Sequence, residues 1–198
     1  MSKKTQEICK ECAASGKGCC NRRDDGTYTP GITASDMMRI ARATGTKPSK
    51  WAAIEEMVPE AYESISASIP GIARMYPVWN GKPMRISLRF DGKDGACYFL
   101  GPRGCRLDRN QRPRVCSLFP AWYFVDGESI VIDPSGIGEG ECIALEKTGG
   151  KRSELLKILG SSDAQLLDLA RASELETRKY AEMTEDEVKE IYNGDFLF

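Results

Sequence analysis

Three cysteines lie within 20 residues in the stretch Cys97-Tyr-Phe-Leu-Gly-Pro-Arg-Gly-Cys105-Arg-Leu-Asp-Arg-Asn-Gln-Arg-Pro-Arg-Val-Cys116-Ser-Leu-Phe-Pro120. Glycine and proline residues between the cysteines favour tight turns, so the thiols can approach one another without a long regular element. Five arginines lie in the same stretch: Arg103, Arg106, Arg109, Arg112 and Arg114. We expect the chain to fold around these cysteines and a second cysteine group near the N-terminus.

The chain of 198 residues contains eight cysteines and no histidine. The cysteines fall into two groups of four: Cys9, Cys12, Cys19 and Cys20, then Cys97, Cys105, Cys116 and Cys142. The lack of histidine excludes Cys-His nucleophile pairs, Ser-His-Asp triads and histidine-ligated zinc or haem. The first residues lack the apolar segment of a secretory signal, which predicts a cytoplasmic protein. In a reducing compartment, clustered thiols indicate metal or redox chemistry more often than structural disulfides.

All eight cysteines are candidate ligands of a metal centre. Cys9 and Cys12 form a C-x2-C pair, whose spacing lets both sulfurs reach one metal across a turn. The adjacent Cys19 and Cys20 serve two sites or two irons of one cluster, or one of them is not a ligand. All-cysteine zinc sites usually contain two C-x2-C pairs, whereas the later cysteines here are singly spaced. This pattern favours one or two [4Fe–4S] clusters, with zinc as the alternative.

The cysteine pattern resembles a known family, the YkgJ-like group of cysteine-cluster proteins described as zinc- or iron-chelating. The positions similar to the second half of that family's pattern are Cys97, Leu100, Cys105, Arg112, Pro113, Cys116, Phe119 and Pro120. The N-terminal C-x2-C…C-C block resembles the first half, so the likeness covers roughly residues 9 to 142. The resemblance implies an iron–sulfur or other metal-binding protein. A larger relative, the flagellin lysine methylase, joins such a domain to further sequence and transfers methyl groups.

The patterns predict an α+β fold, in which helices and short antiparallel strands form a small irregular domain wrapped around a cysteine-ligated metal cluster. We place this cysteine-cluster domain at residues 1–148 and a helical C-terminal extension, packed on it, at residues 149–198. Leucine-rich helical spacing predicts the helices of the extension, with Ser153, Ser162 and Thr184 as their caps.

Shorter signals predict the elements of the first domain. Thr33 is expected to cap a helix that ends at Gly45, and the YkgJ-like family has a similar helix between its two cysteine groups. Ser49 is expected to cap a second helix that continues to Met57. Alternating apolar and polar residues predict two antiparallel strand pairs, residues 86–90 with 96–100 and residues 122–125 with 129–132.

These observations predict an iron–sulfur protein that acts in electron transfer or in redox support of a partner enzyme. Two alternatives stay open: a structural zinc module for protein contacts, or a small modification enzyme of the methyl-transfer type that uses the cluster. The five arginines form either a solvated basic loop or charge compensation for a thiolate-ligated cluster. A net charge of −1 gives no general attraction to nucleic acid, and the longest apolar run is too short to span a membrane. We therefore expect a protein redox partner, with neither nucleic acid nor membrane as a partner.

Overall fold

The structure is a computed structural model, and it describes residues 8, 10–12, 14–15, 20, 31–68, 73–90, 95–126, 129–133 and 142–197. Within these residues the chain combines helices with short antiparallel strands arranged in three small sheets. The expected α+β class is therefore confirmed. In the described part of the chain, no helix combines the length and apolar character needed to cross a membrane.

The main elements in the first half of the described chain are α1 (Ala34–Thr44), β1 (Ala52–Glu56), α2 (Pro59–Ser68), β2 (Val78–Trp79) and β3 (Lys82–Leu88). Strand β3 lies in the centre of the sheet and pairs antiparallel with both β1 and β2. Its inner face carries Ile86, which is fully buried beside Trp51 in the main hydrophobic core. The same core contains Met37 and Ile40 of α1, so the helix packs against one face of the sheet.

Helix α1 begins and ends where the sequence predicts. Thr33 is its N-cap: the Asp36 N–H donates to the Thr33 hydroxyl at 3.2 Å, and the Thr33 N–H donates to the Asp36 carboxylate at 3.0 Å. This reciprocal pair is a capping box, which satisfies two of the N–H groups that a helix start leaves without a partner. Gly45 ends the helix with φ 64°, a left-handed conformation that glycine adopts without strain.

Two predictions in this region are wrong. Residues 48–50 form a short 3-10 turn and residues 52–56 form strand β1, where a helix through Met57 was expected. The five residues of β1 pair in register with residues 84–88, and this tertiary pairing outweighs a spacing that also fits a helix. Strand β3 consequently has β1 and β2 as neighbours. Among the described residues, its predicted pairing with residues 96–100 is reduced to a bridge between Phe90 and Cys97, where the Tyr98 N–H donates to the Arg89 carbonyl at 2.8 Å.

The second half contains two strand pairs with a short helix between them, and four helices follow: β4 (Leu100–Gly101), β5 (Gly104–Cys105), α3 (Arg114–Leu118), β6 (Trp122–Asp126), β7 (Ser129–Asp133), α4 (Ile143–Thr148), α5 (Arg152–Leu159), α6 (Asp163–Ala181) and α7 (Glu185–Asn193). The β6–β7 hairpin is the predicted one. Ser162 and Thr184 cap α6 and α7 through capping boxes, as predicted. Ser153 is not a cap, because α5 already begins at Arg152.

The C-terminal helices share the main core with the first half of the chain. Tyr180 of α6 and Val188 of α7 are fully buried in the cluster that contains Ile40 and Trp51. Helix α6 also contacts α3, which carries Cys116. Residues far from any cysteine in sequence therefore support the part of the chain where the cysteines lie.

Candidate metal centre

All six described cysteines line one cavity of about 100 Å³: Cys12, Cys20, Cys97, Cys105, Cys116 and Cys142. Cys9 and Cys19, the other two predicted ligands, lie outside the described residues. The rest of the wall is mainly apolar, with Leu88, Phe99 and Leu107 among its side chains. The described members of the two sequence groups thus meet on one surface.

Backbone hydrogen bonds bring three of these cysteines together. The Cys97 N–H donates to the Cys20 carbonyl at 2.8 Å, which ties the N-terminal group to the later one. The carbonyl of Cys97 accepts from the Leu100 N–H at 2.8 Å, and Leu100 pairs with Cys105 in the β4–β5 hairpin. Gly104, the first residue of β5 after the two-residue turn, has φ 91°, a conformation that glycine adopts readily. These hydrogen bonds and the tight turn between β4 and β5 therefore place the three cysteines along one wall of the cavity.

Cys116 is positioned by helix α3, and the start of that helix is held by α1. The Arg114 N–H donates to the Asp36 carboxylate at 3.0 Å. Asp36 also forms an ion pair with Arg39, and its side chain is almost completely buried. One carboxylate therefore serves both as the capping partner of α1 and as the acceptor for the first N–H of the helix that carries Cys116.

Two arginines and one glutamate extend this anchor to the C-terminal region. Glu176 of α6 accepts from Arg39 at 3.1 Å and from Arg114 at 2.9 Å. All three side chains are mostly buried, where charge-assisted hydrogen bonds are stronger than at the surface. The sequence does not predict this network, because Asp36 is marked only by its capping position and Glu176 by nothing that distinguishes it from other helical acids.

Most of the predicted arginine loop is held by specific contacts. Arg112 is buried and its Nε donates to the Leu107 carbonyl at 3.0 Å, while Arg109 donates to the Leu159 carbonyl at 2.9 Å. Both arginines line the cavity beside the cysteines. They place positive charge at the wall, which is the arrangement that charge compensation of bound thiolates requires.

Cys12 and Cys142 meet on another part of the cavity wall. The neighbouring Cys142 side chain and burial raise the pKa of Cys12, while the backbone of Ile143 lowers it. Cys142 is the N-cap residue of α4 and is only 3% exposed. One helical turn further along α4, Lys147 forms an ion pair with Glu11 at 2.5 Å. The N-terminal segment thus lies against the start of α4.

Burial and the proximity of other thiols raise the pKa of Cys97 and of Cys116. Burial raises the pKa of Cys97 to about 12, and the neighbouring Cys20 and Cys105 add to the shift. Burial also raises the pKa of Cys116 well above its ordinary value, with Cys20, Cys97 and Cys105 contributing. A bound cation would relieve this cost, because metal ligation stabilises the thiolate and releases the proton.

The chemistry of the donor set fits a thiolate-ligated centre. Cys116 shares a largely apolar cavity with two arginines and with three further cysteines, each of which raises its pKa. Among the described residues, no three cysteine or acidic side chains are arranged to enclose a single ion. The fit therefore rests on the identity and convergence of the ligands and on the character of the wall.

No family model matches the chain, and neither a curated protein nor a solved structure matches it. The likeness to the YkgJ-like group therefore stays a prediction from the sequence.

Proposed function

We propose that this chain binds an iron–sulfur cluster of the [4Fe–4S] type and acts in electron transfer or in redox support of a protein partner. We also propose a cytoplasmic setting, since reduced cysteines persist in a reducing compartment. The observation that carries the proposal is the convergence of cysteines from distant parts of the chain on one largely apolar cavity.

Four of the cysteines are the proposed ligands: Cys20, Cys97, Cys105 and Cys116. All four belong to or pack against the main hydrophobic core, and the pKa of Cys116 is raised by each of the other three thiols. A cubane cluster takes one thiolate on each of its four irons, so the number and kind of donors agree. When bound, such a cluster supplies a one-electron redox centre.

The surrounding residues have separable roles in this proposal. Leu88, Phe99 and Leu107 line the wall and would limit the access of water, which affects the reduction potential of a cluster. Arg109 and Arg112 would offset the negative charge of the thiolates from the same wall. Asp36 is a positioning residue, because it fixes the start of the helix that carries Cys116.

Iron, acid-labile sulfide and zinc in anaerobically purified protein test the proposal. We expect iron and sulfide in equal amounts, with visible absorbance that bleaches on reduction. Cys105→Ser should lose most of the iron, whereas the control Cys12→Ser should keep it, because Cys12 lies outside the four-cysteine set. Protein without iron, sulfide or visible absorbance would contradict the proposal, and stoichiometric zinc would favour the structural alternative.

A further inference from the structure

We infer that the surface beside the β4–β5 turn is the docking site for an acidic one-electron carrier protein. This surface, the Arg106 face, consists of the half-buried Tyr98 and the exposed Pro102, Arg103 and Arg106. The inference rests on the proposed function in one respect, since the transferred electron would come from the centre behind this face. Binding of the partner itself does not require the cluster.

The Arg106 face lies next to two of the proposed ligands. Tyr98 follows Cys97 in the chain and Arg106 follows Cys105, so one residue separates each ligand from the surface. The Arg106 N–H donates to the Phe99 carbonyl at 2.8 Å, which holds the hairpin against the segment that contains Cys97. An electron that leaves a centre bound by these cysteines therefore has a short path to this face.

Aromatic rings connect the cavity wall to the Arg106 face. Phe99 lines the cavity, and its ring lies 5.0 Å from the ring of Tyr98 in an edge-to-face arrangement. The fully buried Trp51 packs against Phe99 with 5.4 Å between the ring centres. Tyr98 is thus held from the core while part of its ring stays exposed. Tyrosines held in this way are frequent at the energetic centres of protein interfaces.

Arg106 is held in place although it is exposed. Its guanidinium donates to the Tyr98 carbonyl and lies 5.5 Å from the centre of the Tyr98 ring. Gly101 permits this position, because a Cβ atom there would lie only 3.1 Å from Arg106 Cγ. A guanidinium that is already ordered loses little freedom on binding, and its planar fork matches a carboxylate. Arg106 is therefore prepared to bind an acidic side chain.

The distribution of charge favours an acidic partner. The described residues 95–109 contain three arginines and a single acidic side chain, Asp108, whereas residues 142–197 contain twelve acidic and eight basic side chains. This asymmetry would turn the Arg106 face toward an acidic protein during encounter. A protein is favoured over nucleic acid, because the two exposed arginines of the face would neutralise few phosphates.

Equilibrium binding tests the inference without electron transfer. We would titrate the full chain at low salt with an acidic plastocyanin, and separately with a basic cytochrome c, as one-electron carriers of opposite charge. Plastocyanin should bind, and Arg103→Glu/Arg106→Glu should weaken its binding about tenfold while favouring cytochrome c. The control Arg171→Glu/Lys179→Glu reverses two exposed charges of α6 and should leave the affinity nearly unchanged. Salt of about 0.3 M should weaken binding to wild-type protein.

A single substitution guards against misfolding of the double variant. Arg103 lies at the exposed turn, so Arg103→Glu reverses one charge of the face and leaves the contacts between Arg106 and Tyr98 in place. It should weaken plastocyanin binding in the same direction by a smaller factor. Unchanged affinity in a folded Arg103→Glu protein and in a folded Arg106→Gln protein would overturn the inference.

Electron transfer separates this inference from the proposed function. Anaerobic protein, reduced with dithionite and freed of its excess, should pass one electron to plastocyanin, which oxidises the cluster by one electron and converts Cu(II) to Cu(I). Arg103→Glu/Arg106→Glu should slow this transfer about tenfold, and the α6 control should not. Protein without iron would contradict the proposed function, whereas iron-loaded protein with equal affinity and rate in both double variants would overturn the docking site. Binding of a single-stranded DNA oligonucleotide through the same arginines, without plastocyanin binding, would also overturn it.

Discussion

Replacement of Asp36 by asparagine tests the anchor that positions Cys116. The Asp36 carboxylate accepts from the backbone N–H groups of Thr33 and Arg114, each at 3.0 Å, and pairs with Arg39. Asparagine retains one carbonyl oxygen but places an NH₂ group where the other oxygen accepted hydrogen bonds. The substitution therefore removes the ion pair with Arg39 and places the asparagine NH₂ group against another hydrogen-bond donor.

The size of the effect follows from two opposing terms. Removal of one partner from a buried ion pair costs about 3–5 kcal/mol of unfolding free energy. Burial, however, raises the pKa of Asp36, so the charged carboxylate already bears a desolvation cost that an amide avoids. We therefore expect Asp36→Asn to lower the unfolding free energy by about 2 kcal/mol, less than the full cost of breaking a buried pair.

Urea unfolding of the metal-free protein measures this loss. With a denaturant slope of about 2 kcal/mol per molar urea, the midpoint should fall by about 1 M. Asp186→Asn is the matched control, because Asp186 also lies in the first turn of a helix but is exposed. Its expected change is within about 0.5 kcal/mol.

The same variants connect the anchor to the metal centre. If Asp36 fixes the start of α3, then Asp36→Asn should also lower the iron content of anaerobically purified protein, while Asp186→Asn should leave it unchanged. An Asp36→Asn protein with wild-type stability would refute the ion-pair reasoning. Lost stability with full iron content would show that Cys116 does not need this anchor.

Two further predictions concern buried hydroxyl and thiol groups. Tyr123→Phe should lower the unfolding free energy by about 1 kcal/mol, because it removes the 3.2 Å hydrogen bond to Ser173. Tyr180→Phe should not lower the unfolding free energy, because the Tyr180 hydroxyl is buried without a hydrogen-bond partner among the described residues. Urea unfolding of both variants checks this contrast, which fails if Tyr180→Phe is the more destabilising change. In metal-free protein, alkylation of Cys97 should accelerate about tenfold per pH unit up to a pKa of about 12, because the buried thiol stays protonated well above the ordinary value. Peptide-resolved iodoacetamide kinetics measure the profile, with urea-unfolded protein as the control, and a plateau near the ordinary thiol pKa in the folded protein would contradict it.

The parts of the fold that the sequence predicts correctly have signals confined to a few neighbouring residues. The capping pairs of Thr33 with Asp36 and of Thr184 with Glu187 each span four residues, and the structure contains both. Strand β1 was missed because the spacing of Trp51, Ile54 and Met57 suits a helix as well. Its true conformation depends on pairing with residues 84–88, about 30 positions later, which no local pattern reveals.

The candidate site also has one property that the sequence predicts and one that it does not. The identity of the thiols is readable from the sequence, since clustered cysteines without histidine leave few other chemistries. Their grouping cannot be predicted, because Cys20 packs against the same core as three cysteines that follow it by more than 75 residues, whereas Cys142 lies in a separate hydrophobic cluster. Spacing along the chain limits which sulfurs can meet in a loop, but packing between distant segments decides which ones do meet.

The contacts that hold the cysteines extend well beyond the last of them. Glu176 lies in the helical C-terminal region, yet it accepts hydrogen bonds from Arg39 of α1 and from Arg114 at the start of α3. Arg39 forms ion pairs with both Asp36 and Glu176, whereas Arg114 pairs with Glu176 through its side chain and with Asp36 through its backbone N–H. The second carboxylate balances the charge of this buried group, which lets α1, α3 and α6 pack closely together. Because α3 carries Cys116, the geometry of the cavity depends on a residue 60 positions further along the chain, and the C-terminal helices belong physically to the support of the site.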